Sequence, residues 1–168
     1  IPSDHSSGHF FRCCRKGKCV IICCCAERII FHSGSCAKIS REEATALAVD
    51  TLQKAVEAFD AEGYGDLILC PETMGKINQL GSLEEVMTLC GVDDRILPTI
   101  DFGHLNAREQ GLFYTAADYE RVLQTMEDAL GRERASKFHA HFSKIEYTKA
   151  GEKKHLTFKC AFLMTGIN

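Results

Sequence analysis

The stretch Leu67-Ile-Leu-Cys-Pro-Glu-Thr-Met-Gly-Lys-Ile-Asn-Gln-Leu-Gly-Ser-Leu-Glu-Glu-Val-Met-Thr-Leu-Cys-Gly91 decides the fold class. Its first four residues form an unbroken apolar run, short enough for a buried strand. From Pro71 to Gly81 the composition is that of a loop. Ser82, with Glu85 three residues on, makes a capping box that opens a helix, and Gly91 stops it. Strand, loop and helix therefore form one unit.

The same unit stands on either side. Upstream, Arg-Ile-Ile-Phe-His at 28–32 reads as a strand that runs into the polar loop Ser33-Gly34-Ser35. Ser40 with Glu43 opens a helix whose apolar residues (Ala44, Leu47, Ala48, Leu52, Ala55, Val56, Phe59) recur at helical spacing until Gly63. Downstream, Ile-Leu-Pro-Thr-Ile at 96–100 is a third strand, followed by a loop to about Tyr114. A helix from about Thr115 then presents Tyr119, Val122, Leu123, Met126 and Leu130, and Gly131 ends it. Residues 138–142 form a fourth strand, after which a lysine-rich polar loop runs to His155 and Leu156 with no further helix.

Strands alternating with helices of this length imply parallel βαβ units with right-handed crossovers, an α/β fold. The polar residues favour a barrel over an open doubly wound sheet. His32, Glu72, Asp101, His104, His139 and His141 all fall at or just beyond carboxyl ends of strands, where barrel chemistry collects. No glycine-rich dinucleotide fingerprint is present. A complete TIM (β/α)8 barrel takes about 200 to 250 residues. The 168 residues here carry about four βα units, so the reading is an incomplete barrel over residues 26–158 with a divergent tail over 159–168.

Composition sets outer bounds. With 45% apolar and 26% charged residues the chain can bury a core, and one domain is expected. A net charge of -3 excludes a surface built throughout to attract nucleic acid, though not a local basic patch. The longest apolar run, at 20–26, is too short to cross a bilayer, and the start lacks signal-peptide order, so a cytoplasmic location is expected. Cys13, Cys14, Cys19, Cys23, Cys24 and Cys25 crowd one segment without the Cys-x-x-Cys spacing of a zinc knuckle. Residues 1–25 are read as a Cys-rich leader outside the barrel pattern. Cys36, Cys70 and Cys90 read as small buried hydrophobes.

Imidazoles and carboxylates gathered at consecutive strand ends are the ligand set of divalent ions of borderline hardness, Zn²⁺, Mn²⁺ or Fe²⁺. Taken singly, a strand-end histidine such as His32 is more often a structural residue bonded to backbone than a ligand, and Glu72 is equally a loop cap. Asp101 and His104, three apart at the end of an apolar strand, place two ligands in one loop. His139 and His141 lie two apart and share a strand face, one to serve as ligand and one to pack. The lysine-rich segment Gly151-Glu-Lys-Lys-His155 is by itself solvated surface.

These motifs together resemble the endonuclease IV and xylose isomerase-like TIM barrel superfamily. Phe-His-Ser-Gly-Ser at 31–35 resembles that enzyme's strand-end His-Pro-Gly-Ser. The segment from Pro71 to Gly81 resembles its Glu-containing segment, and Ile-Asp-Phe-Gly-His at 100–104 its Ile-Asp-Thr-Cys-His. His139 with Ser143-Lys144 resembles its His-x-Asn-Asp-x-Lys strand, and His155 stands where the family has the His of an Asp-x-His loop. The resemblance implies a trinuclear centre of Zn²⁺, with Mn²⁺ as the alternative ion, that cuts the phosphodiester at abasic sites in DNA. By that resemblance His32 and Glu72 bind a first ion, Glu72 bridges to a second held by Asp101 and His139, and His104 with His155 holds a third. Glu72 and Asp101 become the catalytic carboxylates, and Lys144 or the basic segment 149–154 a phosphate contact.

The sequence departs from the family at one ligand position, because Lys153 stands where the family's Asp falls unless Glu152 substitutes for it. The family's early-strand His and last-strand Glu have no counterpart in these residues. Two further readings follow: a divalent-metal sugar (phosphate) isomerase or epimerase of the same superfamily, and a non-catalytic barrel fragment. A partial barrel also leaves strand edges uncovered, so self-association is expected.

Overall fold

The computed structural model describes the backbone of residues 10–15 and 18–23, and backbone and side chains of 27–113 and 115–157. Of the expected leader only two strands fall within these limits, β1 (Phe10–Arg15) and β2 (Lys18–Cys23), paired antiparallel as a hairpin. The rest of the leader, and the tail over 159–168, lie outside the described residues.

β3 (Arg28–Phe31) leads through a polar loop into α1 (Arg41–Ala61), whose first turn is closed by the Ser40 hydroxyl accepting from the Glu43 amide. β4 (Ile68–Pro71) and α2 (Leu83–Cys90) follow, and here the capping box between Ser82 and Glu85 is complete in both directions. β5 (Thr99–Asp101) is shorter than the apolar run that announces it. Pro98 has no N–H to give to a ladder, so pairing starts only after it.

The loop expected after β5 is instead a helix, α3 (Phe102–Arg108), which begins at once because the Asp101 carboxylate accepts from the amides of Gly103 and His104. α4 (Ala116–Leu130) opens on Thr115, whose amide and hydroxyl both donate to Asp118, and a single turn, α5 (Arg132–Ala135), leads into β6 (His139–His141). The lysine-rich loop expected after β6 is an antiparallel hairpin, β7 (Lys144–Thr148) and β8 (Gly151–Leu156). β7 alternates, with Ile145 and Tyr147 on one face, but β8 runs Glu-Lys-Lys-His across a register shift, so its half of the hairpin carries no apolar alternation.

β3 pairs in parallel with β4 and β5 with β6, and a parallel bridge between Glu72 and Thr99 joins the two pairs. The strands thus run side by side in chain order. An open doubly wound sheet reverses its order at a switch point, whereas a barrel segment does not. The arc is not closed into a barrel among the described residues. Ile100, Val86, Leu89, Leu105, Val122 and Met126 fill the space between strands and helices. Cys70 and Cys90 are fully buried and free, and burial pushes the Cys90 thiol up to about 12. Cys36 is only half-buried. An apolar groove of about 400 Å³ runs between β3 and α1, and the exposed Leu47 lines it. No helix among the described residues is long and apolar enough to cross a membrane.

A polar lock holds the loop after β4. Glu85 Oε1 lies 2.6 Å from Arg41 Nη1, and Oε2 accepts from the amides of Gly81 and Ser82. Arg41 also donates to the carbonyl oxygens of Ile77 and Gln79, and Arg108 to those of Met74, Lys76 and Gln79. Burial opposes the charge of Glu85, but the Arg41 guanidinium and the two amides outweigh it and hold the carboxyl below its usual value. A depressed carboxyl stabilises the fold above its unfolded value, near pH 4.3, and that contribution is lost as pH falls through the folded value. Glu85→Gln is expected to cost about 2 kcal/mol at neutral pH. Urea unfolding between pH 7 and 3 should show a shallower acid decline in the variant than in the parent.

Candidate metal centre

Glu72 follows the last residue of β4, where its amide donates to Phe31 O and its neighbour on the next strand is Thr99. The side chain is buried between two imidazoles, with Oε1 2.7 Å from His141 Nδ1 and Oε2 3.3 Å from His32 Nε2. Asp101, the last residue of β5, is committed on one oxygen. Oδ1 accepts from Gly103 N, His104 N and Ser143 Oγ at 2.8 to 3.0 Å. Oδ2 is 2.9 Å from the same hydroxyl, which has one proton to donate, and 3.6 Å from His104 Nδ1. One carboxylate oxygen of Asp101 thus builds the helix start and the other faces the pocket.

His104 is fixed by an acceptor that cannot donate. Its Nδ1 lies 2.8 Å from the carbonyl oxygen of Thr73, so Nδ1 carries the proton and donates it there. In the neutral ring Nε2 is then a lone pair. It points at His155 Nε2, 3.3 Å away, and at Glu152 Oε2, 3.6 Å away. Glu152 Oε2 is buried and has no hydrogen-bond partner, and Oε1 is 3.6 Å from His155 Nε2. In the His155 tautomer that carries its proton on Nδ1, three acceptors converge here, an arrangement that suits a cation.

Two overlapping groups of ligand atoms result, Glu72 with Asp101 and His104, and His104 with Glu152 and His155. Because His104 spends Nδ1 on Thr73, its free nitrogen belongs to the second group. The first group keeps the two carboxylates, with His32 and His141 against Glu72.

The pocket enclosing these groups measures about 360 Å³ and is also lined by Met74, Lys76 and Gln79. His32, Glu72, Asp101, His104 and His155 all reach it. His139 does not. It pairs with Thr99, two residues before the strand end, and its ring lies edge-on to His141 at 4.9 Å between centroids. Burial, then His141 and Arg28, hold the His139 imidazole below its usual value. His141, beside Asp101 at the strand end, takes the place against Glu72. Lys144 opens β7 opposite Leu156 and is not part of the lining. Glu152 was legible only as a substitute for a missing carboxylate, Ser143 stood in the motif with Lys144 but without a role of its own, and no signal in the sequence marks Thr73. Lys153 pairs with Glu146 on β7 and so does not oppose a cation in the pocket. The register shifts at this point of β8, with Glu146 opposite Lys154 and Tyr147 opposite Glu152, so Lys153 is an extra, bulged residue that joins Lys154 against Glu146 while Glu152 and His155, three apart, both line the pocket.

This is a strand-end cluster of possible metal ligands on a parallel α/β arc. The chain matches the model of the xylose isomerase-like TIM barrel family over residues 19–165, and it belongs to that family. It is 35% identical over 132 residues to the uncharacterized protein MJ0133 of Methanocaldococcus jannaschii, a match covering 79% of this chain and 48% of the relative. The chain therefore spans about half the length of the curated relative it matches. No solved structure matches it.

Glu152 and His155 reach the pocket only because β8 is pinned to the loop after β4. Gly151, at φ +87°, sits so close that a Cβ would lie 2.1 Å from the Gly75 carbonyl oxygen. Gly151→Ala is therefore expected to cost about 3 kcal/mol, from positive φ and overpacking together. Gly63→Ala has the same sign of φ (+79°) but open space around it, and should cost about 1 kcal/mol. Denaturant midpoints of the two variants test this ordering.

Proposed function

We propose that this chain carries a multinuclear Zn²⁺ centre, with Mn²⁺ as the alternative ion, and that it hydrolyses the phosphodiester at abasic sites in DNA. The observation that carries the reading is the convergence of Glu152, His155 and His104 Nε2 beside the carboxylates of Glu72 and Asp101. A mononuclear site would not need the second group. The residues proposed to hold metal are His32, Glu72, Asp101, His104, His139 and His155, and Glu152 is added to them. His139 would join only by a shift of β6, since His141 is nearer to Glu72.

Divalent ions bound together supply a hydroxide nucleophile near neutral pH and charge stabilisation for the phosphoryl oxygens. The protein's own residues do the rest. Thr73 O and the α3 amides orient His104 and Asp101 before any ligand arrives. Glu72 Oε1 takes a hydrogen bond from His141, whose ring is more than a third exposed and can pass a proton to solvent. Glu72 and Asp101 are the proposed catalytic carboxylates.

The pocket volume favours a second reading, because about 360 Å³ also fits a small sugar. In that case the chain is a sugar or sugar-phosphate isomerase or epimerase, polarising a carbonyl at the same carboxylates.

Elemental analysis of the purified chain should show bound Zn or Mn that is lost from a His32→Ala, Glu72→Ala, Asp101→Ala variant and reduced in Glu152→Gln. The metal-loaded chain should nick a duplex at an abasic site. Metal without nicking, together with turnover of a sugar phosphate, would favour the second reading. Absence of metal would leave a non-catalytic barrel fragment.

A further inference from the structure

Beside the metal pocket lies a wider cleft of about 640 Å³ that shares Lys76 and Glu152 with it. Three segments meet at its rim. The loop after β3 is tied to the loop after β4 by Cys36 N donating to Asn78 O, and by a bridge between Ser35 and Gln79. The loop after β4 is tied in turn to the β7–β8 turn by Ile77 N donating to Ala150 O, and by a bridge between Lys76 and Gly151. Each segment brings one exposed lysine to this region, Lys38, Lys76 and Lys149. Lys76 and Lys149 line the cleft itself, and Lys38 lies two residues beyond its lining residue Cys36.

These lysines differ from the others. Lys54, Lys137, Lys153 and Lys154 each sit in an ion pair, whereas Lys38, Lys76 and Lys149 are in none among the described residues. The arginines of the region are spent, since Arg41 faces the cleft but is held by Glu85 and backbone carbonyls. In a chain of net charge -3, three lysines outside any ion pair among the described residues thus stand in or next to the cleft that adjoins the metal-ligand pocket, where Glu152 is the carboxylate of the lining.

We infer that this cleft is a phosphate-binding subsite, in which Lys76 and Lys149, with Lys38 at the rim, hold a phosphate of the substrate that is not the one being attacked. Lysine suits this task as a point charge that binds phosphate without reading sequence. The inference deepens the phosphodiesterase reading and rests on it for the identity of the ligand, a phosphate in a DNA strand. A sugar phosphate would offer the same chemistry from a smaller molecule.

The test is fluorescence anisotropy of the metal-loaded chain with a labelled duplex carrying an abasic analogue, from 50 to 200 mM salt. A Lys76→Gln, Lys149→Gln variant is compared with the parent and with Lys54→Gln. All three lysines are exposed, so melting temperature and metal content should be unchanged. The double variant is expected to bind the duplex at least about tenfold more weakly at low salt. Its plot of log affinity against log salt should be shallower by about two, close to one counterion per lost phosphate contact. Lys54→Gln should behave as the parent.

Calorimetric titration with ribose 5-phosphate is the second arm. Lysine-dependent binding of ribose 5-phosphate without duplex affinity would keep the subsite and overturn the DNA assignment. Lysine-dependent duplex binding by a chain that nicks nothing would keep the subsite while the proposed activity fails. Binding of both probes that is indifferent to Lys76 and Lys149 would overturn the inference.

Discussion

The pairing of one loop with one hairpin turn organises the functional end of this molecule. Glu152 N donates to Gly75 O and Ile77 N to Ala150 O, which lays β8 across the loop that follows β4. Two glycines make the approach close enough, since a side chain at either Gly75 or Gly151 would run into the other segment. β8 is polar from Glu152 to His155, so burial of apolar surface does not hold that stretch over the strand ends, and these bonds do. With them, a carboxylate and an imidazole enter a pocket built otherwise from strand ends.

The receiving loop is rigid for its own reasons. Arg41 and Arg108 collect its carbonyls, and Glu85 ties Arg41 to the start of α2. Elements far apart in sequence therefore agree on the position of residues 74–81. The carbonyls of Met74, Lys76, Ile77 and Gln79, which have no ladder partners, are each answered by a guanidinium. The result is preorganisation, in which ligand atoms are placed by hydrogen bonds that do not themselves need the ligand.

Asp101 shows how one side chain serves fold and site together. One oxygen closes the first turn of α3 and takes the Ser143 hydroxyl, while the other faces the pocket. The same Asp therefore starts the helix that carries His104 and stands beside that His. Its removal would disturb both, so loss of activity on changing it could not by itself define a chemical role. Glu152 is the cleaner probe, since Oε2 makes no hydrogen bond among the described residues.

The repeat of strand, loop and helix was legible in the residues, because apolar runs, capping serines and stopping glycines act through neighbours a few positions away. So was the gathering of His32, Glu72, Asp101 and His104 near strand ends, since parallel βαβ units bring every carboxyl end to one side. The start of α3 and the hairpin β7–β8 were not legible. The first depends on a carboxylate turned back on its own backbone, and the second on a strand, β8, whose charged run and register shift leave no apolar alternation to read. Which histidine of β6 meets Glu72 and which nitrogen of His104 is free were decided only by tertiary structure, as was the entry of Glu152 in place of the outward Lys153. Those choices rest on register and on partners some thirty to eighty residues distant, such as Thr73 for His104, Glu72 for His141 and Gly75 for Glu152. Local sequence determines which chemical groups exist at a strand end, but only the packed chain determines which of their atoms remain unsatisfied.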